Sequence, residues 1–314
     1  MEKDVPLAPM TWFRLGGRAR FLFQPLDRDD LSAFCLLARQ EEVPVRVLGA
    51  GANVLIPDQG FPGVVIRLDQ PAFKNQGMPQ VATPGDSAGA INLIDADAGR
   101  AAEACDAAVA DEVLIELGAG VSLMPLCREL SERGFSGIEG LAGIPATIGG
   151  AVKMNAGGRH GDMADVVRSV TVLTTDGSVE TRTARQLAFS YRHSAIQDEI
   201  VLSATLGLRP CRPDESRKKY EAYFRQKEQA QPFKDKSAGC IFKNPASEPA
   251  GALIDRLGLK ERRLGGAMVS PVHANFIVTD RGASAADVIG LIDLIRDEVL
   301  SASGTLLQTE VDIW

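Results

Sequence analysis

Histidine is scarce in this 314-residue chain: His160, His193 and His273 are the only three, and they lie far apart. A histidine-rich metal site is therefore not expected, and no metal is assigned. The five cysteines, Cys35, Cys105, Cys127, Cys211 and Cys240, are odd in number and include no C-x-x-C pair. That pattern supports neither a zinc site nor a disulfide framework, and a reducing cytoplasm is the simpler setting. Basic excess is missing too. Thirty-four Lys and Arg stand against 41 Asp and Glu, a net charge of −7, with the cations spread along the chain. General nucleic-acid binding, which needs a clustered basic footprint, is not expected. No apolar run approaches the roughly 20 residues that span a bilayer. The opening MEKDVPLAPM has charges of both signs and no apolar centre, so it does not read as a signal peptide.

Apolar residues make up 45% of the sequence, enough for packed interiors, and the length suits two or three domains. ARFLFQP (19–25), VRVLGAG (45–51), VVIRL (64–68) and VLIELGAG (113–120) read as strands. Asp29 or Asp30 is expected to cap a helix through Glu42, with Leu31, Phe34, Leu37 and Ala38 inward. Ser122 is expected to cap a second, with Met124, Cys127 and Leu130 inward and Gly134 ending it. SVTVLTTDGSVETRT (169–183) predicts a hairpin about Asp176-Gly177, and EIVLSATLGL (199–208) a further strand. A charged helix is expected within 210–233, stopped by Pro232. Ser284 is expected to cap a long helix that ends before Gly304, and residues 305–314 read as a last strand. Residues 70–111 are rich in Ala, Gly, Asp and Pro. They read as a long excursion between strands, partly mobile, with a small helix near 98–109.

Glycine is where the sequence is unusual. LGAGANVL (48–55) and ELGAGVSL (116–123) are glycine turns that follow apolar strands, and GIPATIGGAVKMNAGGRHG (143–161) holds six glycines in nineteen residues. Glycine costs about 0.5–1 kcal/mol relative to alanine in regular structure. Such a run implies positive backbone φ angles or a large ligand against bare peptide. Successive N–H groups in these turns suit phosphate. The dinucleotide fingerprint G-x-G-x-x-G fails, because position 54 is Val, and Asp69 follows a different strand from the one expected. One glycine turn alone is a tight corner; several together fit one long, charged, flat ligand.

The ordered segments TWFRLGGRARFLFQP, VRVLGAGANVLIPDQGFPGVVIRL, GFSGIEGLAGIPATIGGAVKMNAGG, FSYRHSAI, SAGCIFKNP and TEVDIW resemble the UDP-N-acetylenolpyruvoylglucosamine reductases. The resemblance covers nearly all of the chain except about 70–111. It implies an α+β fold: a two-subdomain FAD-binding fold (PCMH-type) plus a C-terminal α+β substrate-binding domain. The expected division is 1–69 and 70–208 for the two FAD-binding subdomains, 209–300 for the substrate domain, and 301–314 for a strand completing the active site. It implies FAD as cofactor, NADPH as co-substrate, and UDP-N-acetylglucosamine enolpyruvate as substrate, in a cytoplasmic monomer of peptidoglycan precursor synthesis. The shorter form of the family, lacking a tyrosine-bearing loop over the nucleotide, fits best. Only about thirty residues separate Ala204 from Ser237, and Tyr220 and Tyr223 lie on an expected helix.

Residue by residue, the resemblance implies cofactor contacts at Gly49, Ala50, Gly51, Ala52, Asn53 and Val54. It implies others at Gly118, Gly120, Gly143, Ile144, Pro145, Thr147, Gly149, Gly150, Asn155 and Gly157. The family often has Ser where this chain has Ala52, which keeps the backbone donor and loses a hydroxyl. The matching catalytic residues are Arg192, Glu310 and Cys240. Arg192 offers a guanidinium fork for a carboxylate. Glu310 assists there, and burial would raise its pKa. Cys240 stands where many members have a serine proton donor; a thiol near pKa 8.5 is a better acid than an alcohol. Tyr191, Arg225, Lys243 and Asn244 are assigned to substrate. Lys227 on the same charged helix is either a nucleotide contact or part of a solvated face. His193 reads as a structural neighbour of Arg192, and His160 as part of a loop. Taken singly, a cysteine between Gly and Ile is a small buried hydrophobe, and an arginine after tyrosine a surface ion pair. Two other functions stay open from the sequence: a different FAD-dependent oxidase or dehydrogenase of the same cofactor fold, and a non-catalytic nucleotide-sugar binder.

Overall fold

The computed structural model describes residues 1–77 and 112–314. Most of the expected excursion, with its helix near 98–109 and Cys105, lies outside these residues. Its start does not behave as an excursion. Phe73 is fully buried in the main core, and Gln76 bridges Leu117.

Seven α-helices occur among the described residues: α1 Arg28–Gln40, α2 Leu123–Glu132, α3 Ile148–Lys153, α4 Met163–Val166, α5 Pro213–Ala230, α6 Ala250–Arg256 and α7 Ala285–Ser303. A four-stranded sheet runs in the order Glu2–Pro6, Arg18–Phe23, Phe61–Ile66, Val45–Val47. A second sheet runs Val179–Thr183, Val167–Leu173, Ile200–Pro210, Val113–Gly118. All pairs along that path are antiparallel. Ile200–Pro210 is its central strand, and its residues Val201, Leu202, Ala204, Leu206 and Leu208 are all buried, as a strand covered on both faces requires. A small sheet of Arg263–Leu264, Ala267–Val269 and Ile277–Thr279 packs on α7.

Local signals place most of these elements. The expected hairpin turns at Gly177 with φ 85°, and its strands pair from Ser169↔Thr183 to Leu173↔Val179. Helix α7 begins with a capping box between Ser284 and Asp287 and ends at Gly304 in the left-handed conformation. Helix α1 is capped two or three residues earlier than expected, by Asp27, whose side chain accepts from the Asp30 N–H. Its Leu37, expected inward, is 57% exposed.

Helix α5, expected at the start of the substrate domain, packs instead with the second sheet. Its Tyr220 belongs to the core of that sheet, and its Ser216 hydroxyl lies 2.9 Å from both the Phe135 carbonyl and the buried Glu139 carboxylate, between which its one proton is shared. The Glu139 carboxylate also accepts from the Gly137 N–H at 2.7 Å, so this buried group is held by two hydrogen-bond donors.

The small sheet, α6 and α7 share a core with Phe13, Leu15 and Leu55 from the start of the chain. Asp58 ties the same junction from the other side: its two carboxylate oxygens accept from the Ala285 and Ala286 N–H groups at 2.8 and 3.0 Å. These are orphan donors of the α7 N-terminus, satisfied by a loop 227 and 228 residues earlier. The last expected strand is shorter than its pattern. Only Asp312–Ile313 pairs, in parallel, with Val54–Leu55.

Candidate active site

The C-terminal segment meets two others. The Glu310 N–H donates to the Ile241 carbonyl at 2.7 Å, and Lys243 N–H donates to Gln308 O at 2.8 Å. Glu310 is thereby stitched beside Cys240. On its other side, the Asn53 side chain donates to the Glu310 carbonyl at 3.0 Å, and Asp312 N–H donates to Asn53 O at 3.0 Å.

Arg192 comes from the segment whose Leu187 and Ile196 pack in the core of the second sheet. Ser190 and His193 exchange backbone hydrogen bonds of 3.0 and 3.1 Å, which leaves Tyr191 and Arg192 at the tip of a tight turn. Arg192 has φ 54°, a conformation uncommon outside glycine and one that clusters at functional sites. Its Nε donates to Glu310 Oε1 at 2.6 Å and its Nη2 to the Gly157 carbonyl at 2.9 Å. Both side chains of the pair are largely buried, at 18% and 11% exposure.

Electrostatics follow from this enclosure. Burial pushes the Cys240 thiol up to about 12; Glu310 adds to this, while Arg192 and Lys227 pull it back. Burial also raises the Glu310 carboxyl above the ordinary range, against the pull of Arg192 and Lys243. For Arg192, burial opposes the charge, and Glu310 more than offsets it. Lys227 is lowered to about 8, first by burial; Arg192 lowers it further, and Cys127 and Cys240 raise it. Its Nζ donates to the Ala142 carbonyl at 2.8 Å. The site therefore gathers a guanidinium, a carboxyl that resists ionisation, a protonated thiol and an ammonium of lowered pKa.

The glycine segments divide into two kinds. In the 49–53 turn, no acceptor within the described residues takes the N–H of Gly49, Ala50, Gly51, Ala52 or Asn53. Gly51 has φ 66°, and a Cβ at Gly49 would stand 2.6 Å from Thr147 Oγ1, so this turn and the 143–157 segment meet. Gly150 is exposed, and a Cβ there would meet only Thr147 Oγ1, at 3.5 Å. Five consecutive free donors beside bare glycine suit the pyrophosphate of FAD, so these residues fit the cofactor.

Gly118 and Gly120 are of the other kind. Their N–H groups donate to Asn75 O and Phe73 O at 2.9 and 2.8 Å. A Cβ on Gly118 would overlap the Phe73 carbonyl, and one on Gly120 the Leu68 carbonyl. Close passage of the Leu68–Asn75 segment requires these glycines. Gly149 N–H is likewise engaged by Ala119 O at 2.9 Å.

The remaining expected residues lie as follows. Gly143 has φ 70° and faces Lys227, Phe224 and Phe233; Ile144 packs on the main core. Pro145 is half-buried, and Thr147 caps α3 by accepting from the Gly150 N–H at 3.4 Å. Val54 is buried in the strand paired with Asp312, and Gly157 supplies the carbonyl for Arg192. Tyr191 is 51% exposed, and its hydroxyl accepts from the Asn244 N–H at 3.3 Å. The Asn244 side chain accepts from the Ala250 N–H at 3.0 Å and so holds the start of α6. Lys243 is half-buried near Glu310. Arg225 is exposed on α5; Lys227, two residues on, is the cation of that helix that senses Arg192 and Cys240. His193 closes the Arg192 turn. His160 stacks on Tyr223 with ring centroids 3.8 Å apart and bonds Gln226. Asp162, not singled out from the sequence, caps α4 and contacts Asn155. No described helix is long and apolar enough to cross a membrane.

Comparisons with known proteins agree with this layout. The UDP-N-acetylenolpyruvoylglucosamine reductase C-terminal domain profile matches residues 231–314, and an FAD binding domain profile matches residues 104–182. The reductase of that name from Synechococcus sp. (strain WH7803) is 37% identical over 99% of this chain and 92% of its own length. That from Myxococcus xanthus is 38% identical over 99% and 91%. The crystal structure of UDP-N-acetylenolpyruvylglucosamine reductase from Thermus caldophilus aligns with a TM-score of 0.78 at 36% identity, covering 99% of this chain and 98% of that one. With near full-length identity well above 30%, family profiles matching residues 104–182 and 231–314, and the α+β architecture described above, the chain belongs to the UDP-N-acetylenolpyruvoylglucosamine reductase family.

Proposed function

We propose that this protein reduces UDP-N-acetylglucosamine enolpyruvate to UDP-N-acetylmuramate at the expense of NADPH, in the cytoplasm, as a monomer. The observation that carries the reading is the buried Arg192–Glu310 pair, 2.6 Å apart, with the Glu310 N–H bonded to the carbonyl of Ile241, the residue after Cys240. FAD, when bound, supplies the two-electron relay between NADPH and the enolpyruvyl double bond.

The chain's own residues do the rest. Reduction of the double bond at its terminal carbon leaves negative charge on the adjacent carbon and its carboxylate. Arg192 stabilises that carboxylate with a guanidinium already oriented by Glu310 and the Gly157 carbonyl. Glu310, with its pKa raised by burial, orients the fork and donates a hydrogen bond when protonated. Cys240, held protonated by burial, delivers the proton that completes the reduced carbon. The resulting thiolate is favoured by the charges of Arg192 and Lys227, which offset part of the cost of burying it. Lys243, Asn244, Tyr191 and Arg225 are assigned to the substrate. The turn at 49–54 and the bare face around Gly150 and Thr147 are assigned to the FAD pyrophosphate.

The organisation proposed with this reading is a first FAD-binding part to about residue 69, a second through α5, and a substrate-binding part from about 231 that closes with the strand at 310–314; the packing of α5 with Glu139 supports the second boundary. Purified protein should carry flavin absorbance, and its NADPH consumption should depend on UDP-N-acetylglucosamine enolpyruvate. A flavin that NADPH bleaches but only oxygen restores would replace this reading with that of another flavin oxidase. A colourless protein that takes up no FAD would replace it with that of a nucleotide-sugar binder.

A further inference from the structure

Asn53 and Asn155, both expected at the cofactor, are each tied to one member of the Arg192–Glu310 pair. Asn155 is 2% exposed and has φ 44°. Its Nδ2 donates to the Ser190 carbonyl at 3.0 Å and to Asp162 Oδ2 at 3.3 Å. Its Oδ1 accepts from the Ala164 N–H at 3.0 Å. A side-chain amide has two N–H donors, and both are engaged. Its backbone N–H donates to the Val152 carbonyl at 3.1 Å. No donor of Asn155 is left for a ligand.

Ser190 opens the turn that carries Arg192. Fixing the Ser190 carbonyl fixes one end of a two-residue tip whose second member is already in an uncommon conformation. The hairpin that follows Asn155 supplies the second anchor, the Gly157 carbonyl that accepts from Arg192 Nη2. Asn53 does the corresponding work on the other member. Its Nδ2 donates to the Glu310 carbonyl at 3.0 Å and contacts Met154 Sδ at 3.0 Å, next in sequence to Asn155. Its own carbonyl accepts from Asp312.

We infer that Asn155 and Asn53 are positioning residues of the reaction, Asn155 setting the Arg192 guanidinium and Asn53 setting the Glu310 carboxyl, instead of serving FAD through their side chains. The inference rests on the functional reading of Arg192 and Glu310 given above. It also explains why two asparagines meet at Met154: the glycine turn, the end of α3 and the reacting pair form one hydrogen-bonded frame.

The test is a pair of double-mutant cycles on the flavin-loaded full chain. The readouts are flavin per chain by absorbance and the single-turnover rate of flavin reoxidation by saturating UDP-N-acetylglucosamine enolpyruvate. Asn155→Asp keeps an acceptor for Ala164 and loses both donations. It should slow reoxidation about tenfold in the parent and less than twofold in an Arg192→Ala background, because coupled residues are non-additive. Asn53→Ala should show the same contrast between the parent and a Glu310→Ala background. Equal losses in both backgrounds, or a loss of bound flavin that accounts for the lost rate, would overturn the inference. If Asn155→Asp does not accumulate as folded protein, the half-buried Asn53 decides. Failure of the parent itself to be reoxidised by this substrate would instead sink the functional reading, an outcome read before any variant is made.

Discussion

Arg192 Nε and Glu310 Oε1 stand 2.6 Å apart although 118 residues separate them in the chain, and they extend from different cores, Arg192 from the one that holds Leu187 and Ile196 and Glu310 from the one that holds Leu307 and Val311. Neither side chain could be held so without the other: a lone buried charge costs several kcal/mol, and a hydrogen-bonded pair offsets much of this. Arg192→Lys keeps the charge and loses the fork that reaches both Glu310 and the Gly157 carbonyl. Reoxidation of reduced flavin by substrate is expected to fall by about 100-fold. The NADPH half-reaction, followed separately by flavin bleaching in stopped flow, should be far less affected. Equal loss in both half-reactions would mean that Arg192 serves the cofactor.

Cys240 is an acid that does not ionise near neutrality, since burial carries it to about 12. Turnover should therefore show no decline from thiol ionisation between about pH 7 and 9. Cys240→Ser should retain substantial turnover, and Cys240→Ala should be reduced by NADPH yet stall in reoxidation. Stability carries the same signature. With a folded value near 12 and an unfolded one of 9.0, the unfolded chain releases this proton first as pH rises. Over that window the folded state binds more protons, so the parent loses stability with rising pH. Cys240→Ser removes the titration, and its urea midpoint should fall less steeply from pH 9 upward. Parallel slopes would show that the thiol is not buried in solution.

Glycines at the two kinds of position should fail differently. Gly118→Ala forces a Cβ into the Phe73 carbonyl, and the cost should appear as a lower Tm or loss of folded protein. Gly150→Ala meets only Thr147 Oγ1 at 3.5 Å, so Tm of the flavin-free protein should hold or rise slightly, alanine being the better helix former by about 1 kcal/mol. Its FAD affinity, measured by flavin fluorescence on titration, should drop. Unchanged affinity would move the cofactor away from the start of α3.

Asp58 caps α7 from a loop near the beginning of the chain, through both carboxylate oxygens. Asp58→Ala should cost about 1–2 kcal/mol, the range for a lost N-cap. Because the cap also bridges two bodies, the urea transition should broaden or divide. Asp58→Asn, which keeps one acceptor, should recover part of the loss.

Local chemistry was readable in advance, and its consequences at a distance were not. Ser284 with Asp287 and a terminal Gly304 announces α7, and Asp176-Gly177 announces a hairpin, because each is decided within a few residues. The order of six motifs was enough to bring Arg192, Cys240 and Glu310 into one reading. What escaped depended on chain crossings. Nothing near Gly118 or Gly120 reveals that the Leu68–Asn75 segment passes across them. Leu37 falls on the apolar stripe of α1, yet no partner covers it. Helix α5 looks like the opening of a new domain until Ser216 is seen bonding Glu139, 77 residues earlier. Asn155 resembles a ligand-facing residue in a glycine-rich run, and only the folded turn at Ser190 shows where its amide points.

The pairing of Asp312–Ile313 with Val54–Leu55 has a bearing on how the protein comes into being. The acid, the fork and the carboxyl cannot assemble until residues some 257 positions apart have both been synthesised and brought together, which makes closure of the centre a late, long-range event in folding. A chain that stops short of Glu310 would keep the glycine turn and the thiol yet lack the carboxyl that orients Arg192, so the last few residues made decide whether the centre works.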